Sequence, residues 1–439
     1  HYYFELSRLF NKIPYFDENV EISQYPDIPN NEFTRDEILS MLAKEMLDAA
    51  ELLPASQSEV GRIHKYIALA YAAKIKLYQA YQQDETTHAV TSINKELLRE
   101  VVSLCDQVTA SNRYGLLDDF QGLDLVANEN GKESVFAIQY SMNDGTESAG
   151  RINWSNLLNS PGGGSPYGGD GFFLPSQDLI NAYQTDANGL PDFNYQSKSD
   201  YSWAVLNNGV YTLQNTTPNV DPRLDFVVGR PTITWKTYPD KPCEGWVRDK
   251  ETYGYNCAKR FWVSPESSDM FNGWPWGASQ LNWQIIRYAD ILLWKAEALI
   301  ELNEGDGLET ARDLINQIRN RARNSAYVKD FNDHSKYAAN YLVNPYPADV
   351  WNQDYARQAL RWETRLEKAL EGERFFDLVR WGIVETTMNK YITAESDNRI
   401  YYANAHFTGG KDEYYPVPNN QYGFSGGKYV QNPGYAPFN

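Results

Sequence analysis

The densest group of side chains able to do chemistry lies between residues 361 and 382, in the stretch RWETRLEKALEGERFFDLVRWG. This stretch holds five carboxylates and four arginines. Two carboxylates that flank a glycosidic bond can hydrolyse it, one of them as a general acid. Neighbouring arginines lower carboxylate pKa values, however, whereas a general acid needs a raised pKa. The composition therefore favours ion pairs that hold the fold together over catalysis.

The surrounding sequence argues against the other catalytic and metal-binding patterns. The stretch GFSGG (423–427) matches the nucleophile-elbow pattern, but no helical pattern and no histidine follow it. The run PGGGSPYGGDG lacks the Lys-Ser/Thr ending of a phosphate-binding loop. The five histidines are dispersed. Three cysteines make neither a zinc motif nor a disulfide framework, although Cys243 and Cys257 are spaced to close a loop of about 15 residues. We predict no catalytic residue, no metal site and no cofactor.

Aromatic residues are the anomaly of the composition. They make up 14% of the chain, with 12 Trp and 32 Tyr, and many lie in segments rich in Gly, Pro and Asn. A ring in such a loop either roofs the core or offers a platform for the apolar face of a sugar. We predict ligand contacts for the aromatic residues of the loops, which are Trp154, Tyr201, Trp203, Trp235, Trp246, Trp274 and Trp276.

The charge balance excludes some partners. The chain has 58 acidic against 40 basic residues, a net charge of -18 and a pI of about 4.8. Nucleic-acid binding needs a concentrated basic face, so we predict no nucleic-acid partner. No run of 18 or more apolar residues is present, so the sequence predicts no transmembrane helix.

Several segments have helical periodicity. Thr34 and Glu37 form a capping box before a helix that Pro54 ends. The stretch GRIHKYIALAYAAKIKLYQAYQQ predicts a second helix, and a third is predicted from about Asn94 to Ser111. Two further helices, QIIRYADILLWKAEALIELN and LETARDLINQIRNRAR, flank the turn EGDG. These pairs are similar to tetratricopeptide repeats of about 34 residues.

The segment between about 112 and 284 has no regular helical period. Short apolar runs, SVFAIQYS, LDFVVG and TITWKTY, predict strands between long loops. We expect this segment to pack as an irregular, loop-rich layer on the helices, where binding residues concentrate. Within the charged stretch itself, a helix from Arg361 to Leu370 would place one stripe of apolar residues in the core, namely Trp362, Leu366, Ala369 and Leu370.

Four segments resemble, in their order along the chain, the C-terminal hallmarks of the SusD/RagB family. These are RYADILLWKAEAL (287–299), INQIRNRAR (315–323), RLEKALEGERFFDLVRWG (365–382) and YYPVPNNQ...YVQNPGY (414–435). The helix pair at 35–82 and the DPRLDF of 221–226 also look like that family. Two features depart from the pattern. HYYFELSRLF resembles the middle of the first repeat, which implies that an N-terminal part is missing, and RWETRLEKAL lacks the usual consecutive arginines.

The resemblance implies a mainly α fold, a SusD-like superhelix of tetratricopeptide-like helix pairs with an irregular, partly β half. We expect one domain over 1–439. Residues 1–111 and 285–323 would form the helical scaffold, 112–284 the ligand-binding insertion, and 324–439 the C-terminal helices and a wrapping tail. Arg287, Arg319, Arg321 and Arg374 would supply cations for the glutamates of the charged stretch, which are Glu363, Glu367 and Glu371.

The resemblance also implies a function. Family members are surface lipoproteins of Bacteroidetes that deliver nutrients to a SusC-like, TonB-dependent outer-membrane transporter. We therefore expect non-catalytic glycan binding at the cell surface, with the membrane reached through a lipid anchor that this chain does not contain. Two alternatives stay open at this point: a peptide cargo, as in the RagB branch, and a glycoside hydrolase.

Overall fold

The computed structural model describes residues 1–147, 150–154, 164–169, 171–202, 204–207, 210–213, 218–238, 245–254, 256–273 and 277–438. Its helices are α1 (Tyr2–Phe10), α2 (Arg35–Leu52), α3 (Lys65–Ala80), α4 (Lys95–Ala110), α5 (Gln177–Ala182), α6 (Arg223–Val227), α7 (Lys250–Tyr253), α8 (Tyr288–Leu302), α9 (Gly307–Asn324), α10 (Gln353–Glu367), α11 (Arg374–Arg380), α12 (Val384–Glu395) and α13 (Asn419–Phe424). The predicted mainly helical fold is confirmed.

Short strands pair two by two. The strands are β1 (Tyr81–Gln83), β2 (Val90–Ile93), β3 (Ser134–Ile138), β4 (Ala204–Asn207), β5 (Val210–Leu213), β6 (Val228–Gly229), β7 (Cys257–Ala258) and β8 (Trp283–Arg287). All four pairs, β1 with β2, β3 with β8, β4 with β5 and β6 with β7, are antiparallel. The β3–β8 pair joins the two ends of the irregular segment, because Ser134 lies opposite Arg287 at the start of α8.

The helix ends follow the predicted capping chemistry. The Thr34 hydroxyl accepts a hydrogen bond from Glu37 N, and the Glu37 carboxylate accepts one from Thr34 N, which closes the capping box of α2. The Asn94 side chain caps α4 by accepting from the backbone N–H groups of Glu96 and Leu97. Helix α8 ends at Leu302, and the positive φ of 51° at the following Asn303 allows the tight turn into α9. Both predicted helix pairs are therefore present.

The two helix pairs pack against each other across the irregular segment, as predicted. The buried alanines Ala68, Ala72 and Ala73 of α3 let neighbouring helices approach closely. Ile291 and Trp294 of α8 share this core with α2, α3 and α4. A second core joins α8 and α9 to the buried face of α10.

Two of the three strand predictions in the irregular segment are wrong. SVFAIQYS contains strand β3, as predicted. LDFVVG instead contributes α6 and the two-residue strand β6, and TITWKTY makes only isolated bridges at Ile233 and Trp235. The decisive contact is non-local: the buried Arg223 at the start of α6 donates to Glu363 on α10 at 2.6 Å. A local apolar pattern carries no information about such a partner.

The charged stretch is a buried ion-pair network. Helix α10 ends at Glu367, earlier than predicted, and Leu370 (φ 66°) and Gly372 (φ 82°) then reverse the chain. The carboxylates of Glu363 and Glu367 are fully buried. Their cations come from several parts of the chain, namely Arg319 and Arg223 for Glu363, and Arg287, Arg321 and Arg223 for Glu367.

Three of the four predicted cations are thus confirmed and one is wrong. Arg287, Arg319 and Arg321 bind the glutamates of the charged stretch. Arg374 does not; its guanidinium donates to the carbonyl of Arg361 at 3.5 Å and lies near the Trp381 ring. Arg374 points away because it lies beyond the reversal at Gly372, at the start of α11. Arg223 was missed because nothing local ties it to α10.

Two further expectations concern membrane spans and cysteines. Among the described residues, no helix has the length and apolar character needed to cross a bilayer. Cys257 is a buried free thiol whose Sγ lies 3.7 Å from the carbonyl oxygen of Gly229. Cys243, the other partner of the loop closure considered from the sequence, lies outside the described residues.

Candidate ligand-binding cleft

The seven aromatic residues predicted to contact ligand fall into three groups. Trp154 is exposed, with 46% of its surface accessible. Tyr201, Trp235 and Trp246 are buried, at 2%, 0% and 4%. The other three, Trp203, Trp274 and Trp276, lie outside the described residues. Direct ligand contact stays a prediction for these residues, and among the described ones Trp154 is the ring that is exposed to solvent.

The three buried rings have a packing role in this structure. Trp235 donates from Nε1 to the Tyr167 hydroxyl at 2.9 Å, and that hydroxyl donates to the carbonyl of Val263 at 2.7 Å. The Trp246 ring centre lies 5.2 Å from that of Trp235. Tyr201 packs in a separate core, under the Arg230 guanidinium. Loop aromatics of this kind fill the core beneath the loops because their large apolar rings bury more area there than any other side chain.

A cleft of about 810 Å³ opens next to the aromatic cluster. Its walls are two segments, 117–128 and 259–269, and the lining is completed by Lys132, Phe226, Lys236 and Thr237. The size suits a few sugar rings or a short peptide, since ligand pockets commonly span 300–1,000 Å³. We take this cleft as the candidate ligand-binding site.

Local capping shapes the first wall of the cleft. The Asp119 carboxylate accepts from Gln121 N at 2.9 Å and so begins a short 3₁₀ helix, Phe120–Asp124. Phe120 N donates to the Ser325 hydroxyl just after α9, which ties this wall to the helical scaffold. Asn128 closes the segment by donating to the carbonyl of Gly122. Hydrogen bonds between side chains and backbone groups therefore hold this wall at both ends.

Asp124 lies at the junction of the two walls. Its carboxylate accepts from Lys236 Nζ at 3.2 Å, Arg260 Nε at 3.1 Å and the backbone N–H of Phe261 at 3.2 Å. Burial raises the pKa of Asp124, but Lys236 and Arg260 outweigh burial and hold the pKa below its ordinary value. Asp124 is therefore ionised at neutral pH and joins the walls instead of acting as an acid.

Arg260 connects the cleft to the charged stretch. Its Nη1 donates to Glu371 at 3.2 Å, and Glu371 also accepts from Arg287 at 2.7 Å and pairs with Lys368 at 2.7 Å. These cations outweigh the burial of Glu371 and place its pKa far below the ordinary value. The density of charge noted in the sequence thus fixes one wall of the cleft to α8 and α10.

Lys259 forms a second buried contact behind the cleft. Its Nζ donates to the carbonyl of Asp225 at 2.7 Å and to that of Thr234 at 2.8 Å. Burial lowers the pKa of Lys259 to about 7, although Asp225 acts in the opposite direction. Both carbonyls accept hydrogen bonds from Lys259 Nζ, so we assign Lys259 the structural role of holding the segment 225–236 in place.

Hydroxyls and carboxylates line the more open part of the cleft. Thr237 and Ser264 share a hydrogen bond of 2.6 Å between their hydroxyls, and Ser267 donates to Asp269 at 3.0 Å. Small hydroxyls and carboxylates exchange hydrogen bonds readily with the hydroxyl groups of sugars. No group of three or more potential metal-ligating side chains occurs among the described residues.

Backbone pairing places Trp154 near one wall of this cleft. Its neighbour Asn153 pairs with Ser279, and Ser279 pairs with Met270. Met270 directly follows Asp269, which lines the cleft. Two backbone bridges therefore connect the segment next to Trp154 to the wall of the cleft that contains Asp269.

The sequence profile of the SusD family matches residues 132–435 of this chain. The match covers strand β3, the cleft wall 259–269, the charged network and nearly all of the C-terminal segment. The chain belongs to the SusD family. The resemblance drawn from the sequence motifs is confirmed.

The chain is similar to named relatives in sequence and to solved structures in fold. SusD-like protein P2 of Formosa agariphila is 24% identical over 99% of this chain and 72% of its own length. A SusD-like carbohydrate-binding protein of Bacteroides fragilis superposes with a TM-score of 0.66 at 20% identity, over 96% of this chain and 76% of its own. Surface glycan-binding protein A of Bacteroides uniformis gives a TM-score of 0.61 at 19% identity, over 98% and 75%.

The sequence motifs did not reveal the polar residues of the cleft. Asp124, Lys236 and Arg260 are 136 positions apart at their extremes, and no short pattern contains them. One signal was present: these residues follow apolar segments within the loop-rich half, where binding groups concentrate. That signal selects a region and cannot select which side chains meet.

Proposed function

We propose that this SusD-family chain binds glycan without cleaving it at the bacterial cell surface and delivers it to a SusC-like, TonB-dependent transporter in the outer membrane. Family membership carries the proposal. Solved structures of the same fold include a carbohydrate-binding protein and a surface glycan-binding protein. The cleft of about 810 Å³, with hydroxyls and carboxylates on its walls, supports it.

The exposed Trp154 supplies the apolar half of the expected contact. Sugar rings carry axial C–H groups on one face and hydroxyls around the edge, so they bind where an aromatic face lies beside hydrogen-bonding groups. The Trp154 segment is connected by backbone bridges to the wall that contains Asp269. Binding of this kind needs no perturbed carboxylate and no metal.

The direct test is affinity for a panel of soluble glycans, measured by titration calorimetry. Trp154→Ala is expected to weaken binding by about 1–3 kcal/mol, by analogy with base stacking on aromatic rings, without lowering Tm. Phe424→Ala is the matched control, since Phe424 is 53% exposed on the remote helix α13. Equal affinity of both variants and the native chain would remove Trp154 from the site, and no binding across the panel would refute glycan as the cargo.

The glycoside-hydrolase alternative has one observation in its favour. Burial raises the pKa of Glu129 to about 7, and the nearby Asp269 adds to this rise. A carboxyl of that pKa is suited to general-acid work. The Glu129 carboxylate, however, accepts from the backbone N–H of Asn282 at 2.5 Å and so serves the β3–β8 junction. Release of reducing ends by the native chain, abolished in Glu129→Gln, would establish hydrolysis and overturn the non-catalytic proposal.

Peptide cargo and transporter partnership are tested separately. A peptide library screened beside the glycans distinguishes the RagB-like alternative, because selective peptide binding would replace glycan in the proposal. For delivery, we expect the full-length lipoprotein, extracted from cells in mild detergent, to co-purify with an outer-membrane barrel. Isolation of the protein without a barrel under every mild condition would contradict delivery and leave glycan binding standing.

A further inference from the structure

A second cavity, of about 510 Å³, adjoins the candidate cleft. It lies between the turn 57–64, the start of α3 and strand β3, and Arg113, Tyr114 and Asn130 complete much of its wall. Lys132 lines this cavity and the cleft alike. The two spaces therefore share Lys132, and an extended ligand that reaches both would pass this side chain.

The second cavity is basic although the chain carries a net charge of -18. Arg62, Arg113 and Lys132 line it, against Glu59 as the carboxylate among its described lining residues. Arg113 makes no ion pair with any carboxylate in the part of the chain that the structure describes. Three basic side chains around one cavity are therefore a local exception to the acidic character of this chain.

The partners of the other two cations are exposed and can be exchanged. Arg62 pairs with Glu59 three residues earlier, and both side chains are 66% exposed. Lys132 pairs with Asp118 at 2.9 Å, and the Asp118 side chain is 98% exposed. Surface ion pairs of this kind contribute at most about 1 kcal/mol, so an incoming anion can replace the carboxylate.

Uncharged donors add to the attraction for an anion. Helix α3 begins at this cavity with His64 as its N-cap residue and no side-chain cap, and helix N-termini favour negative charge. His64 is buried in the wall, with its Nδ1 unpartnered among the described residues and its Nε2 3.2 Å from the Tyr114 hydroxyl. The side-chain amides of Asn130 and Gln139, which bond each other at 2.9 and 3.0 Å, also line the cavity.

We infer that the second cavity binds an acidic group of the ligand, and that the glycan accommodated by this chain is therefore anionic, bearing carboxylate or sulfate groups. The inference rests on the proposed glycan function and specifies its substrate class. A neutral oligosaccharide would occupy the cleft and make no use of the three cations. An acidic oligosaccharide can place its sugar rings in the cleft and an anionic group between Arg113 and Lys132.

The test compares three oligosaccharide probes of equal length by calorimetry: oligogalacturonate for carboxylate, carrageenan oligosaccharide for sulfate, and cello-oligosaccharide as the neutral probe. We expect at least one acidic probe to bind more tightly than the neutral one, with affinity that falls as salt rises because salt screens exposed charges. The probe that binds identifies which acidic group the cavity prefers.

Variants then locate the charge effect. Arg113→Gln and Lys132→Gln are each expected to weaken binding of the acidic probe by roughly three- to ten-fold, as for single charge contacts near water. Lys336→Gln is the matched control, since Lys336 pairs with Asp333 at 2.9 Å on an exposed, remote segment and the net charge changes equally. The NMR signal of the His64 ring should shift with the acidic probe.

The outcomes separate this inference from the proposed function. Binding of the neutral probe as tight as that of both acidic probes, or equal effects of Lys132→Gln and Lys336→Gln, would overturn the anionic site and leave glycan binding intact. Failure of all three probes together with a full neutral and acidic glycan panel would refute the proposed function itself. Selective binding of an acidic peptide in their place would assign the basic cavity to a different class of ligand and so overturn the inference.

Discussion

Glu367 is the position at which the ion-pair network is most directly tested. Its carboxylate is fully buried and accepts from Arg287 at 3.0 Å, Arg223 at 3.2 Å and Arg321 at 2.5 Å. The substitution Glu367→Gln keeps the size of the side chain and removes its charge. Three buried guanidinium groups would then share fewer carboxylates, and breaking a buried ion pair on one side destabilises a protein by about 3–5 kcal/mol.

The pKa of Glu367 gives a second value for the same quantity. Burial raises this pKa, but Arg321, Arg287 and Arg223 outweigh burial and lower it from 4.5 to about 2. At about 1.4 kcal/mol per pKa unit, the ionised carboxylate contributes about 3 kcal/mol to the free energy of unfolding at pH 7. A carboxylate with a lowered folded-state pKa stabilises above its unfolded pKa, and the contribution is lost as pH falls from about 4.5 towards 2. Only about 1 kcal/mol is left at pH 3.

The assay is urea unfolding from pH 7 to pH 3, followed by tryptophan fluorescence and by circular dichroism so that two-state behaviour is checked. Glu100→Gln is the control, since Glu100 pairs with Lys76 at 2.7 Å but is half exposed, and its loss should cost less than about 1 kcal/mol. The reasoning fails if Glu367→Gln loses less than about 1 kcal/mol at pH 7, or if its deficit does not shrink as the pH falls.

Three further predictions concern other buried groups. Trp235→Ala should lower the free energy of unfolding by about 3–5 kcal/mol, because the ring is fully buried, and an unchanged denaturation midpoint would contradict its packing role. Burial raises the pKa of Glu395 to about 7. Between about pH 4.5 and pH 7 the folded state therefore retains a proton that the unfolded chain releases, and the free energy of unfolding falls as the pH rises through this range. Glu395→Gln is therefore expected to raise Tm at pH 8 and not at pH 5; an equal rise at both would refute the assignment. Cys105 and Cys257 are buried, and burial raises the pKa of Cys105 to about 12, so neither thiol should react with a thiol reagent until denaturant is added.

The helical scaffold was predictable because its signals are local. Thr34 and Glu37 form their capping box within one turn, and the apolar spacing of α2, α3, α8 and α9 repeats within each helix. The arginines around Glu363 and Glu367 likewise predicted ion pairs instead of catalysis. Chemistry of this kind depends on residue type and short spacing, and both can be read directly from the chain.

Tertiary structure decided where the cleft forms and which side chains line it. Asp124, Lys236 and Arg260 meet because the loop-rich half folds back onto α8 and α10, and no local pattern records that approach. Trp154 and Trp235 are the same residue type in similar loops, yet one is exposed and the other completely buried. Composition determined that this chain has many loop aromatics, and local spacing and capping determined its helical scaffold. Long-range packing decided which rings face solvent and which charges meet, because burial depends on the surroundings of a residue and not on its neighbours in sequence.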